Sequence, residues 1–168
     1  MKNFLLFAPL FAALSVWMIP CTHAGEVDRS VIKVTASSYE QKAKGGWADN
    51  PPEQSLDGNL KTAWMAEGDG EWIQYDLGSD VALKAVKLGF AAGDKRVYTF
   101  DILVSETGAD NTWTTVADKA KSSGKTVEME TFEFPTAKIR YVRIVGHGNT
   151  NPKFAKWCNI TEAGFVTE

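Results

Sequence analysis

The sequence predicts an all-β fold, an antiparallel sandwich or jelly roll of about eight strands. Three observations carry that expectation. Short runs rich in β-branched and aromatic residues recur, with Gly, Asp, Asn and Pro between them. Some of these runs alternate apolar with polar residues, as a strand with one buried face requires. From residue 25 onward no apolar stripe of helical period stands out.

The strands are expected in this order. Val31 to Ser37 is the first. Trp72 to Leu77 follows an acidic turn, and at least one of Trp72 and Tyr75 is expected to be buried. Val81 to Phe90 sets Val86, Leu88 and Phe90 on one face. Phe100, Ile102 and Val104 alternate with Asp101, Leu103 and Ser105. Trp113 to Val116 is short. Thr126 to Phe134 and Ile139 to Val145 flank Pro135-Thr136-Ala137, and Ile160 to Val166 closes the domain. Three long loops break the pattern: Tyr39 to Glu53, Ala91 to Tyr98 and Gly146 to Trp157. Each carries basic residues, and a rigid β-scaffold commonly places its binding chemistry on such loops.

Residues 1–24 read as a signal peptide, and 25–168 as one domain. Lys2 precedes an apolar run from Phe4 to Ile19, then a proline, with small Thr22 and Ala24 before Gly25. The run is short for a membrane span and no basic flank follows it, so secretion is expected over anchoring. Met18-Ile19-Pro20 before Cys21 does not suit a lipid-modified cysteine. With residues 1–24 removed, Cys158 is the sole cysteine and no internal disulfide can form. Another staple, such as a bound metal, would stabilise by ligand linkage. Cys158 is expected to pack as a small hydrophobe. The remaining 17 basic and 21 acidic residues argue against nucleic acid as a partner.

The acidic turn concentrates oxygen. Asp57 brings a carboxylate, Gly58 lets the chain fold back, and Asn59 and Thr62 add neutral oxygens. Hard cations such as calcium take six to eight such donors. Glu162 in the last strand would join them if the two ends of the domain lie together.

Several segments together resemble the discoidin family: SLDGNLKTAW, GEWIQYDLG, FDILVSETGADNTWTTV, IRYVRIVGHGN and WCNITEAGF, in that order. That family holds the C-type domains of coagulation factors V and VIII and the family 32 carbohydrate-binding modules. GDKR, RYVRIVGHGN and NITE most resemble modules attached to alginate lyases. The resemblance implies a galactose-binding-like, eight-stranded jelly roll with a structural calcium. It implies as ligands the carbonyl of Gln54, Asp57, the carbonyl of Asn59, Thr62, the carbonyl of Thr161 and Glu162. One departure is Trp157-Cys158-Asn159, where related modules often read Trp-Asn-Ser. Asn159-Ile160-Thr161 is also a formal glycosylation sequon, though a glycan beside a metal ligand is not expected.

Saccharide recognition wants an aromatic platform and a few directed polar groups. A uronate adds a carboxylate, which the arginine fork suits. Arg96 is the first candidate, with Lys95 beside it, then His147, Asn149 and Asn151, and Trp47 as the stacking residue. Trp64 is expected to pack beneath the turn. Catalysis has little support. His147 is the one histidine after residue 24, and no G-x-S-x-G, zinc spacing or phosphate loop occurs. The expected function is therefore a secreted, non-catalytic module for an acidic polysaccharide or oligosaccharide, with a carbohydrate-active enzyme as an expected partner. Two alternatives carry different tests: a protein- or lipid-binding discoidin domain, with Trp47 and Phe154 as its only large apolar loop residues, and a small lyase using His147 and Tyr141. The otherwise polar loops argue against a membrane partner.

Overall fold

The computed structural model describes residues 25–168. The expected signal peptide lies outside the described residues. Seven strands form: β1 Lys33–Ala36, β2 Trp64–Glu67, β3 Trp72–Phe90, β4 Tyr98–Ser105, β5 Thr114–Lys121, β6 Glu130–Asn149 and β7 Trp157–Thr167. The described helices are three short 3-10 turns, at Arg29–Val31, Lys42–Lys44 and Pro52–Ser55. Every strand pairing is antiparallel, in the order β2-β7-β3-β6-β4-β5, with β1 also on β3.

Two strands are long enough to serve both layers of the sandwich. The first part of β3 pairs with β1, and its second part pairs with β7. β6 follows β3 throughout and meets β4 from Tyr141 onward. The register shifts between Asp76 and Val81 and again between Leu83 and Ala85. These irregularities bend the ladder without ending it. Two pairs of expected strands thus merge, and with the additional β2 seven strands form among the described residues where about eight were expected. Gly78-Ser79-Asp80 and Pro135-Thr136-Ala137 read as turns, but each lies inside one continuous strand. Pro135 is accommodated at the second shift, where a missing N–H costs no regular ladder bond. The short β2, not expected from the sequence, pairs Met65 with Asn159 on β7.

The core is aromatic and joins the layers. Tyr75 packs on Phe165 with ring centroids 5.0 Å apart. Phe100 meets Phe132 edge-on at 5.0 Å and Phe90 at 5.3 Å. The expected alternation holds: Phe100, Ile102 and Val104 are buried, as are Val86, Leu88 and Phe90. Burying one such side chain contributes about 1.5–3 kcal/mol. Tyr75, rather than Trp72, is the buried member of its strand. Cys158 is buried as expected, with burial pushing its thiol up to about 11.

One polar chain ties this core to the loops. The Tyr75 hydroxyl donates to Ser55 Oγ at 3.0 Å, and Ser55 Oγ donates to the Pro52 carbonyl at 2.7 Å. Trp64, buried as expected, donates its indole N–H to the Ser38 carbonyl at 2.8 Å. The acidic turn thus begins from a 3-10 turn fixed to the core.

Candidate functional site

The turn and β7 meet as the adjacent-ends argument anticipates. Gly58 has φ of +80°, a left-handed conformation that favours glycine. It aims the Gly58 and Asn59 amides at Glu162 Oε1, at 2.7 and 3.2 Å. Glu162 is 2% exposed. Burial pushes its carboxyl pKa up, against those amides and the Arg29 guanidinium, which pairs with Oε2. A buried carboxylate needs such partners, because leaving it bare costs several kcal/mol.

Three further oxygens gather in the turn. Thr62 Oγ1 lies 2.7 Å from Asp57 Oδ2 and 2.8 Å from the Asn59 carbonyl. The Thr161 hydroxyl, next to Glu162 on β7, is buried without a hydrogen-bond partner. Gln54 accepts from the Ala63 amide through its side-chain oxygen at 3.3 Å, so it braces the turn. No group of three or more His, Cys, Asp or Glu side chains suited to a metal occurs among the described residues. The set here has two carboxylates, Asp57 and Glu162, and otherwise neutral oxygens. That composition fits a hard cation such as calcium and not a soft one.

Three loops, with β2 and β7, line an open cavity of about 280 Å³, whose lining includes Trp47, Ala92, Arg96, Phe154, Trp157 and Asn159. A shallower one of about 520 Å³ shares Trp47 and Phe154 and adds Lys44 and Lys153. Trp47 is 78% exposed and stands edge-on to Phe154, centroids 6.0 Å apart. The Arg96 guanidinium lies 5.4 Å from the Phe154 ring centroid and Lys153 Nζ lies 5.3 Å from it. Arg96 has no carboxylate partner among the described residues. Ala92, in the cavity wall, has φ of +52°. That left-handed strain costs a non-glycine residue about 1–2 kcal/mol.

Each wall is braced from below. Glu40 Oε1 accepts from the Trp47 amide at 3.0 Å and Oε2 from the Asn50 side chain at 2.6 Å. Asn149 Nδ2 donates to the carbonyls of Phe154 and Trp157, at 2.8 and 2.9 Å, and its Oδ1 accepts from the Asn151 amide at 2.9 Å. Gly148, with φ of +86°, lets that loop close, since a Cβ there would meet the Ala155 carbonyl oxygen at 2.0 Å. Val97 and Thr150 exchange two bonds of 3.0 Å, joining the second and third loops.

Of the residues expected to bind ligand, Trp47 and Arg96 line the cavity. Asn149 and Asn151 shape its rim, their side chains engaged with the loop backbone. Lys95 is exposed and is not part of the lining. His147 faces elsewhere, with Nδ1 2.7 Å from Asp69 and Nε2 3.0 Å from Asp101. Those carboxylates hold its pKa above the ordinary value, Asp101 foremost. Tyr141 lies six residues back along β6, about 20 Å away at the usual strand rise. The two cannot act on one substrate atom.

Glu40 and Asn159 are among the site residues that escape the sequence reading. Glu40 is an ordinary loop acid until the fold turns it under Trp47. Asn159 carries a weak signal, its departure from Trp-Asn-Ser. It is 6% exposed and its side-chain oxygen has no partner. Leaving such a group unpaired costs about 1–3 kcal/mol.

A rigid antiparallel sandwich that gathers an aromatic, cation-edged cavity from three loops defines a ligand-binding module. The chain belongs to the F5/8 type C domain family, whose model matches residues 33–162. Among solved structures, the CBM32 of AlyQ in complex with 4,5-unsaturated mannuronic acid is 34% identical. The match covers 84% of this chain and 97% of that one, with a TM-score of 0.72. A truncated AlyQ with CBM32 and alginate lyase domains is also 34% identical, with a TM-score of 0.74. There the match covers 87% of this chain but 34% of the other. A pectin binding carbohydrate binding module is 24% identical over 85% of this chain and 91% of its own, with a TM-score of 0.69, a likeness of fold alone. Among curated proteins no match was found.

Proposed function

We propose that this chain is a secreted, non-catalytic module that binds an acidic saccharide, a uronate polymer or its oligosaccharides, in the cavity between Trp47 and Arg96. The observation that carries the reading is Arg96: a guanidinium on an aromatic wall, at a cavity, with no carboxylate of the chain to neutralise it. A ligand carboxylate would complete that fork, while Trp47 and Phe154 meet the apolar faces of sugar rings. The likeness to a module crystallised with an unsaturated mannuronic acid supports the same class of ligand.

A structural calcium belongs to this reading. Asp57, the Asn59 carbonyl, Thr62 and Glu162 would hold it, with the Gln54 and Thr161 carbonyls completing the set. Bound there, it would neutralise the turn and fix the loops beside the cavity. The chain's own residues do the recognition: Arg96 takes charge, Trp47 and Phe154 take the ring, and Glu40 and Asn149 hold the walls. Because a single module binds weakly, attachment to or partnership with a carbohydrate-active enzyme would gain through avidity.

A glycan array of uronic-acid and neutral oligosaccharides, run with and without chelator, tests the reading. Uronates are expected to bind, and Arg96→Ala to lower that binding at least tenfold. Equal binding by the variant, or a preference for neutral sugars, would rule out the carboxylate assignment.

A further inference from the structure

We propose that the site takes a uronate chain of at least two residues, in two subsites that share Trp47 and Phe154. One carboxylate meets Arg96 in the smaller cavity, and another meets the lysines of the larger. The inference rests on the reading of the smaller cavity as a saccharide site, and adds to it the length of ligand that fills the whole. The two cavities are neighbours: Glu40, Trp47, Phe154 and Trp157 line both. Arg96 borders the smaller alone, while Lys44 and Lys153 border the larger alone. Small-molecule sites hold about 300–1,000 Å³. At about 280 Å³ the smaller cavity falls just short of that range, and at about 520 Å³ the larger lies within it. A ligand confined to the first would leave the greater volume unused.

A shared ring relates the charges. Phe154 has the Arg96 guanidinium 5.4 Å from its centroid, Lys153 Nζ 5.3 Å from it and Trp47 edge-on at 6.0 Å. One aromatic ring thus stands by two cations of different cavities. None of Arg96, Lys44 and Lys153 has a carboxylate partner among the described residues. Trp47 and both lysines are exposed, so a ligand reaches them from solvent. The larger cavity also has two acids. Glu40 spends its oxygens on the Trp47 amide and the Asn50 side chain, and Glu67 is exposed at the end of β2. Glu67 opposes a second carboxylate, and the lysines have to outweigh it. Backbone contacts hold the lysine loops. The Lys44 amide donates to the Gln41 carbonyl and the Lys153 amide to Asn151 Oδ1, each at 3.0 Å. A lysine ammonium is a point charge without the arginine fork. The first subsite therefore orients a carboxylate, and the second adds attraction that salt screens. A single uronate answers one cavity. A uronate chain, charged on every residue, answers both, and its second contact is intramolecular once the first is made.

The experiment titrates mannuronate monomer, dimer and trimer into the wild-type protein, Arg96→Ala and the double variant Lys44→Ala with Lys153→Ala, reading even weak binding from chemical shifts. Wild type is expected to bind the trimer at least tenfold more tightly than the monomer. The double variant is expected to shrink that gap to threefold or less while binding the monomer like wild type. Arg96→Ala is expected to weaken all three. Equal wild-type affinity for monomer and trimer, or a gap that the double variant keeps, would overturn the inference and leave the saccharide reading intact. Equal weakening of monomer and trimer by the double variant would put the lysines in one site with Arg96, and also overturn it. Wild-type protein that binds none of the three would overturn both readings.

Discussion

Both ring nitrogens of His147 meet a carboxylate, one from the β2–β3 turn and one from β4. An imidazole can donate from both nitrogens only when protonated, which is why its pKa is raised. Its folded pKa exceeds the unfolded value of 6.5, so the linked stability is complete below that value. It is lost as pH rises through the folded pKa. Asp101 lies below its ordinary pKa although burial opposes this, because the Lys119 amide and His147 outweigh the burial. Its share is present above 3.8 and fades as pH falls through the lowered value. Melting temperature followed from pH 6 upward is expected to decline more steeply for wild type than for His147→Gln, and the two curves should converge in mildly alkaline buffer. At this scale the sequence was half legible. Arg96 and Trp47 sit where loop position and residue type place them. His147 could not be placed, because alternation along β6 sends it to the outer sheet face while the GHGN segment reads as loop. Asn159 was hidden because its meaning lies in what surrounds it, which only the β2 pairing supplies.

The two ends of the domain are joined through one carboxylate. Glu162 on β7 receives amides from the acidic turn and the guanidinium of Arg29 beside β1. In calcium-containing buffer, Asp57→Ala is expected to melt several degrees below wild type, and chelator to lower wild type but not the variant. Identical melting of all four samples would remove the metal from the account. The third loop hangs on Asn149, whose amide serves two carbonyls. Asn149→Ala is expected to weaken uronate binding by several-fold in calorimetry while leaving Arg96 and Trp47 in place. Strand content was largely readable from alternation and turn residues. Strand continuity was not, because Gly and Pro signal a turn and a bulge alike, and long-range pairing decides between them. β2 went unseen because four residues beside a turn carry too little pattern.

Across the whole molecule, stability comes from an aromatic core spanning both layers, and the proposed function rests on the loops. The two are linked by the bond from Tyr75 to Ser55, which carries the core into the turn. Phe165→Ala is expected to cost about 3–5 kcal/mol in denaturant unfolding. The same chain reads differently at its two levels. Its fold follows from pattern, which is why the all-β expectation holds. Its proposed ligand would depend on a cavity of a few side chains brought together from β2, β7 and three loops. The most direct test of that cavity is amide and side-chain NMR of the labelled domain during titration with an oligomannuronate. The account predicts that shifts concentrate on Trp47, Ala92, Arg96, Phe154 and Asn159, with the His147 and Asp101 face unmoved. Shifts confined to the outer sheet face, or none at saturating oligosaccharide, would contradict it.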